Sequence, residues 1–440
     1  MRVNMNHRTQ WRAYQDKLKR EALLARYKKK LFLAGWLVCG VVLMTLAGIW
    51  LSSRIQPTVT AAPTVEQQPQ PPEPEDLSHQ KVATILSPDN GNGIKLDEEV
   101  VLEDGGVRYT VKTTINPKLQ SYIDRMLNRS KTLQAAVVVI NPHDGRVLAM
   151  SSHDKNGNGA NLCLKAEYPA ASLFKIVSAA AALEAAGYTP EKKLYFNGSR
   201  HTLYKNQLKE RRGRYTNETK LRKAFAASNN SVFGKLGIHV LGQQVMADYA
   251  NKFYFNRPIP FDIPVEMSAT EVPEDEYGLA EIASGFNKVT RLSPLHAALL
   301  SCTVVNNGEM VVPRVIDTVR DESQAVVYRS HFRTLGASIS TKTANGLKMM
   351  MEDTVTYGTG RKTFRKLRRR KMFKNFDLGA KTGTINDVTD QFKFDWVTAF
   401  ALAPGGTDGI CVGVLAVHGE KLGTRATEMA RAIIDYNFRS

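Results

Sequence analysis

Read from its N-terminus, the chain passes through apolar runs of distinct length and period. Leu31 to Leu51 is a 21-residue segment without a charged side chain, long enough as a helix to cross a hydrocarbon core about 30 Å thick. Lys28-Lys29-Lys30 precede it, so the positive-inside rule keeps the N-terminus in the cytoplasm and sends everything after Arg54 outside. A cleaved signal peptide would have a shorter apolar region, roughly 7–15 residues, so the segment reads as an uncleaved single-pass anchor in the cytoplasmic membrane. Pro57 to Pro74 then holds six of the eighteen prolines and reads as a semi-rigid spacer. The expected organisation is a basic cytoplasmic tail over 1–30, a transmembrane anchor over 31–51, a Pro-rich extracytoplasmic linker over 52–76, a short irregular lead-in over 77–106, and one folded domain over 107–440.

Within that domain the periods change again. Arg108 to Thr114 alternates like a strand, and Asn116-Pro117 is a helix start whose apolar spacing runs to about Leu127. Ala135 to Ile140 and Arg146 to Met150 flank a turn built around Asp144-Gly145, the pattern of a hairpin. Ile176 to Ala186 is a long apolar run of helix formers, opened by Ser172. Gly379 to Thr384, Trp396 to Leu402 and Ile410 to His418 read as three late strands, and Thr424 to Tyr436 as a closing amphipathic helix. Strands at both ends around a helical middle predict an α/β fold with an antiparallel sheet flanked by helices and a mainly helical subdomain.

A net charge of +18 suggests a nucleic-acid partner until it is located. Residues 1–30 contribute +8 and Arg361 to Lys374 another nine, leaving +1 for everything else. The first block flanks the anchor. The second lies outside the cytoplasm by the expected topology, so nucleic acid is not a partner. That second block also contains Phe364, Leu367, Met372 and Phe373. Its bland reading is a solvated face; the sharper one is a docking patch for an anionic surface. Of the cysteines, Cys39 falls in the anchor, Cys163 in the approach to Ser172, and Cys302 and Cys411 in apolar surroundings. No spacing demands a disulfide, no metal-ligand cluster is present, and no cofactor is implied.

Three short strings carry chemistry: Ser172-Leu173-Phe174-Lys175, Ser228-Asn229-Asn230 and Lys381-Thr382-Gly383-Thr384. A serine and a lysine three apart on a helix share one face, so Lys175 can take the Ser172 proton. Ser78 with Lys81 and Ser152 with Lys155 have the same spacing, but neither opens an apolar helix. Lys175 would need burial and a second cation to act as a base at neutral pH, and Lys381 can supply that charge. Ser228 and Asn230, two apart in a loop, can turn to one cleft, with Ser228 bridging the two lysines as a proton shuttle. Gly383 would leave room for a peptide along the strand edge. The N–H groups of Ser172 and Thr384 are candidates for an oxyanion hole. The expected catalytic set is Ser172, Lys175, Ser228, Asn230 and Lys381, with Thr382, Gly383 and Thr384 in substrate binding.

In this order the strings resemble the S-x-x-K, S-D-N and K-T-G signature of penicillin-binding proteins and serine β-lactamases, with the middle string departing to Ser228-Asn229-Asn230 and keeping its serine and terminal asparagine. Further stretches are similar to that family: Thr114 to Gln120, Asp144 to Met150, Leu292-Ser293-Pro294-Leu295, Asn307-Gly308 with Pro313, and Gly358-Thr359-Gly360. The resemblance implies a peptidoglycan D,D-transpeptidase in which Ser172 is acylated by stem peptides ending in D-Ala-D-Ala and by β-lactam antibiotics. It also leaves open a D,D-carboxypeptidase, a β-lactam-sensing receptor, a β-lactamase and a non-catalytic scaffold among cell-wall synthesis proteins. No E-x-x-L-N string, which a β-lactamase would use to activate water, occurs between Asn230 and Lys381. The spacing of anchor and domain also predicts neither a glycosyltransferase domain nor a large pedestal before residue 107.

Overall fold

Five strands form one antiparallel sheet. They are β1 (Gln134–Ile140), β2 (Val147–Asp154), β3 (Asp377–Asn386), β4 (Lys393–Leu402) and β5 (Gly409–His418). Their spatial order is β3-β4-β5-β1-β2. The computed structural model describes residues 79–85, 96–157 and 160–439. The expected tail, anchor and linker, and residues 77–78 and 86–95 of the lead-in, lie outside the described residues. Among the described residues no helix is long and apolar enough to cross a membrane.

Both faces of the sheet are covered, which explains why β1 and β5 read as continuous apolar runs rather than alternating ones. Along β1, Ala135, Val137 and Val139 join one core, while Ala136, Val138 and Ile140 join another. The first core is roofed by α1 (Pro117–Asn128) and by the closing helix, Ala426–Asn437. Asn116 caps α1 as the sequence suggests, its side chain accepting from the Lys118 and Leu119 amides. Tyr122 and Tyr436 stack with ring centroids 4.0 Å apart, fixing these two helices against each other.

The second core holds the helical region. Its parts include, in chain order, α2 (Lys175–Glu184), α3 (Leu221–Ala226), α4 (Asn230–Leu236), α5 (Glu276–Ser284), α6 (Pro294–Val305) and α7 (Thr341–Thr356), with a further helix, Gly242–Lys252, between α4 and α5. Helix α6 is apolar all round and buried from Pro294 to Val304, as a helix enclosed on every side must be. It starts at Ser293, which caps the His296 amide, and packs along β5. Two further helices follow: α8 (Arg361–Arg368) and the closing helix, now α9.

Three local expectations change. Residues 99–104, expected to be irregular, form a strand paired with Val107–Thr113. That hairpin extends through Ile316–Arg320 and Val326–Arg329 into a separate four-stranded sheet. Ser172 does not begin the α-helix. It sits in a 3-10 turn, Ala171–Phe174, and the α-helix starts at Lys175. In the second basic block, Phe364, Leu367 and Phe373 are buried in the core roofed by α1 and α9, and only Met372 is exposed. The apolar contacts assigned to a docking patch are therefore spent on folding, because residues three apart in α8 share its inward face.

Trp396 of β4 ties the sheet to the segment that leads into the Ser172 turn. It is fully buried, lies opposite Gly383 in the β3–β4 ladder, and donates its indole N–H to Pro169 O at 2.8 Å. Trp396→Ala should destabilise the fold by about 3–5 kcal/mol through the cavity it leaves. Trp396→Phe, which loses mainly the hydrogen bond, should cost about 1 kcal/mol plus the smaller volume change. Thermal or urea unfolding checks both, and equal midpoints for the alanine and wild-type proteins would contradict the packing role.

Candidate active site

Ser172 lies half-buried at the top of α2, with Lys175 one turn below and fully buried. Lys175 Nζ is 2.8 Å from Ser172 Oγ and 2.8 Å from Asn230 Oδ1, and it also bonds the Ser284 carbonyl. The Asn230 amide is oriented by its own Nδ2, which donates to His201 O at 3.0 Å. Asn230 Oδ1 and Ser284 O can only accept, and a neutral lysine has two N–H bonds and one lone pair. When the amine is neutral, both N–H bonds go to these acceptors and the lone pair is left facing the Ser172 hydroxyl. Burial, with the neighbouring Lys381 charge adding to it, pushes the Lys175 ammonium well below its ordinary range.

A second lysine–serine pair stands beside the first. Lys381 on β3 is fully buried, donates to Ser228 Oγ at 3.1 Å and to Thr382 O at 2.8 Å, and burial brings it down to about 7. The expected bridge is met on one side: Ser228 bonds Lys381, and among the described residues no hydrogen bond joins it to Lys175. Asn230 is not in a loop. Asn229 caps α4 through the Val232 amide, and Asn230 is the first residue of that helix. Ser228 alone is at the joint, with φ of +52°, in the left-handed region that a non-glycine residue adopts at a cost.

The same strain recurs at the nucleophile. Ala171, just before Ser172, has φ of +50°. Its carbonyl is packed against Gly285, where φ is +63° and an added Cβ would come within 2.0 Å of Ala171 O. Gly383 serves the same turn from the other side, since a Cβ there would sit 3.2 Å from Ala171 Cβ and 3.3 Å from Ser172 N. The missing side chain at Gly383 thus makes room for the serine turn itself. Two glycines from distant parts of the chain hold the Ser172 turn as a wedge.

These groups open into one cavity of about 940 Å³, lined by Ser172, Ser228, Asn230, Thr382 and Thr384 from the expected set. Sequence reading missed His201, Phe286, Asp395 and Arg425, which also line it. Thr384 Oγ1 donates to Asp395 Oδ1 at 3.2 Å, and Arg425 Nε donates to Asp395 Oδ2 at 2.7 Å. Burial raises the Asp395 carboxyl, but the neighbouring His418 and Arg425 outweigh it and bring it down to about 2. Thr359 of the Gly358-Thr359-Gly360 string meets Thr382, hydroxyl to hydroxyl, at 2.5 Å, and its amide donates to Ala226 O at 3.0 Å. None of the four missed residues stands in a recognisable string, so only spatial proximity reveals them.

Residues 135–435 match the family model described as the penicillin binding protein transpeptidase domain. The chain is 24% identical over 298 residues to stage V sporulation protein D of Bacillus subtilis, covering 64% of this chain and 45% of that protein. It is 26% identical over 372 residues to the peptidoglycan D,D-transpeptidase PbpA of Mycobacterium tuberculosis, covering 74% of this chain and 72% of the relative. The fold matches the crystal structure of PBPA from M. tuberculosis with a TM-score of 0.60 at 23% identity, over 74% of this chain and 80% of that one. It matches apo penicillin-binding protein 3 of the same organism with a TM-score of 0.63 at 17% identity, over 79% and 81% of the two chains.

Gly285→Ala should displace the Ser172 turn without emptying the core. Acylation by a fluorescent penicillin should fall about a hundredfold, the scale of a misplacement near 1 Å, while the far-UV circular dichroism stays that of the wild type. Wild-type labelling by this variant would remove the wedge from the account.

Proposed function

Because the chain belongs to the penicillin-binding protein transpeptidase family, we propose that it is a serine D,D-transpeptidase that crosslinks peptidoglycan stem peptides. The observation that carries the proposal is the buried Lys175 amine, whose two N–H bonds have fixed carbonyl acceptors and whose remaining position faces Ser172. In this reading Lys175 takes the proton as Ser172 Oγ attacks the penultimate carbonyl of a D-Ala-D-Ala terminus. The Ser172 N–H, beside Gly383, supports the developing oxyanion together with Thr384 N–H. Lys381, in its charged form, attracts the substrate carboxylate beside Thr382 and Thr384, and Ser228 passes a proton toward the leaving amine. D-Ala departs, and an amine of a neighbouring stem takes the acyl group.

The proposed chemistry also bears on how the acyl-enzyme ends. Asp395 and Glu428 are the carboxylates that line the cavity among the described residues, and both are engaged with Arg425. Neither offers a free base beside Ser172 for water, which favours transfer to an amine over rapid hydrolysis. We place the anchor at Leu31–Leu51 and the catalytic domain outside the cytoplasm, on the length of that segment and its flanking lysines.

Labelling with a fluorescent penicillin tests the proposal directly. Wild type should retain the label, and Ser172→Ala should take none. Lys175→Ala should acylate about a thousandfold more slowly, as loss of a general base does. Unlabelled wild type, or a label that maps to another serine, would overturn it.

The pH profile separates the lysines. Acylation needs Lys175 neutral and Lys381 charged, and Lys381 loses its proton as pH rises through about 7. The rate constant for acylation by a carboxylate-bearing penicillin should therefore decline above that pH. Lys381→Arg keeps its charge at every accessible pH, so it should retain part of the rate and lose the decline. An alkaline limb that persists in this variant would assign that limb to another group.

A further inference from the structure

The cavity that holds Ser172 continues to a cluster of cations beyond the three strings. Lys362 and Lys366 lie one turn apart on α8 and line it, as does Arg431 of α9. The two helices pack against each other, with the Thr363 and Thr427 hydroxyls 3.4 Å apart between them. Tyr122 and Met126 of α1 close that end.

Other charges nearby are neutralised: Arg370 pairs with Asp435, and Arg425 with Asp395. Lys362, Lys366 and Arg431 have no acidic partner within ion-pair distance among the described residues. Three like charges around one concavity repel each other, and the two carboxylates that share the cavity, Asp395 and Glu428, bond Arg425 instead. They are also set apart from the rest of the basic block. Arg361, Arg365, Arg368 and Arg369 are exposed but do not line the cavity. Lys362 and Lys366 are exposed as well, so what distinguishes them is that they line the cavity, where a group on a substrate bound in the cleft can reach them.

We propose that Lys362, Lys366 and Arg431 form a subsite for a free carboxylate on the peptide substrate, several bonds from the carbonyl that acylates Ser172. This rests on the acyl-transfer reading of the site and adds to it a means of choosing between peptides with free and with amidated carboxyl groups.

The test reads binding apart from chemistry. Full-length chain carrying Ser172→Ala is titrated calorimetrically with two synthetic peptides ending in D-Ala-D-Ala. One has a γ-linked glutamate with its α-carboxylate free; in the other that carboxylate is an amide. The free acid should bind about tenfold more tightly, the scale of a few partly exposed ion pairs, and the preference should shrink at high salt. Adding Lys362→Met, Lys366→Met and Arg431→Met should abolish the preference, whereas Lys362→Arg with Lys366→Arg should keep it. Equal binding of both peptides, binding of neither, or a preference that survives the triple methionine variant would each overturn the subsite. Failure of penicillin to label the wild-type chain would instead count against the acyl-transfer reading, and the titration would still decide the subsite.

Discussion

Burying two lysine side chains beside two serines is the constraint from which the rest of this site follows. An ammonium taken out of water without a counter-ion is costly, and the usual escape is to lose the proton. Lys175 and Lys381 are both fully buried, and among the described residues no carboxylate bonds either one. What surrounds them is neutral: hydroxyls, an amide oxygen and backbone carbonyls. Such partners satisfy N–H bonds without restoring the charge, so burial acts as the tuning device. A carboxylate in place of Asn230 would hold Lys175 as a cation and remove the lone pair that faces Ser172.

Keeping both lysines dry requires elements from across the chain to converge. Lys175 is reached by α2, by the start of α4 and by the end of α5, while Lys381 comes from the edge strand of the main sheet. The approach to Ser228 is fixed by an ion pair, since Arg222 of α3 binds Asp353 of α7 through Nε at 2.6 Å and through a second nitrogen at 2.8 Å. Asp353 is buried, and a buried carboxylate held by both arms of a guanidinium defines an orientation as well as a contact. The strained residues Ala171 and Ser228 adjoin or include the two serines. Strain of that kind persists where packing over-determines the backbone, and here the packing is Gly285 against Ala171 and the Ala226 carbonyl against Thr359.

The basic block shows one sequence segment divided by geometry into three uses. Phe364, Leu367 and Phe373 turn inward and complete the core under α9. Arg370 pairs with Asp435 of α9. Lys362 and Lys366 face the cleft. Within α8, a period of 3.6 residues per turn separates Phe364 and Leu367 from Lys362 and Lys366, because residues three or four apart share a face.

Much of this architecture is local and so could be read in the chain. Asn116-Pro117 starts a helix because an asparagine side chain can reach two amides ahead and proline has no amide to satisfy. The late strands are recognisable because a sheet buried on both faces must be apolar at successive positions. The spacing of Ser172 and Lys175 predicts their contact, because one turn of helix is a fixed geometry. Tertiary structure alone decided which distant groups complete the site. Nothing in Ser284, Gly285, His201, Asp395 or Arg425 signals a role, because each acts through a carbonyl, a missing side chain or a contact made far away in sequence. The same holds for Gly383, whose open space belongs to a turn more than two hundred residues earlier. Periodicity and capping depend on a residue's immediate neighbours; desolvation and close approach depend on whatever the fold packs against it.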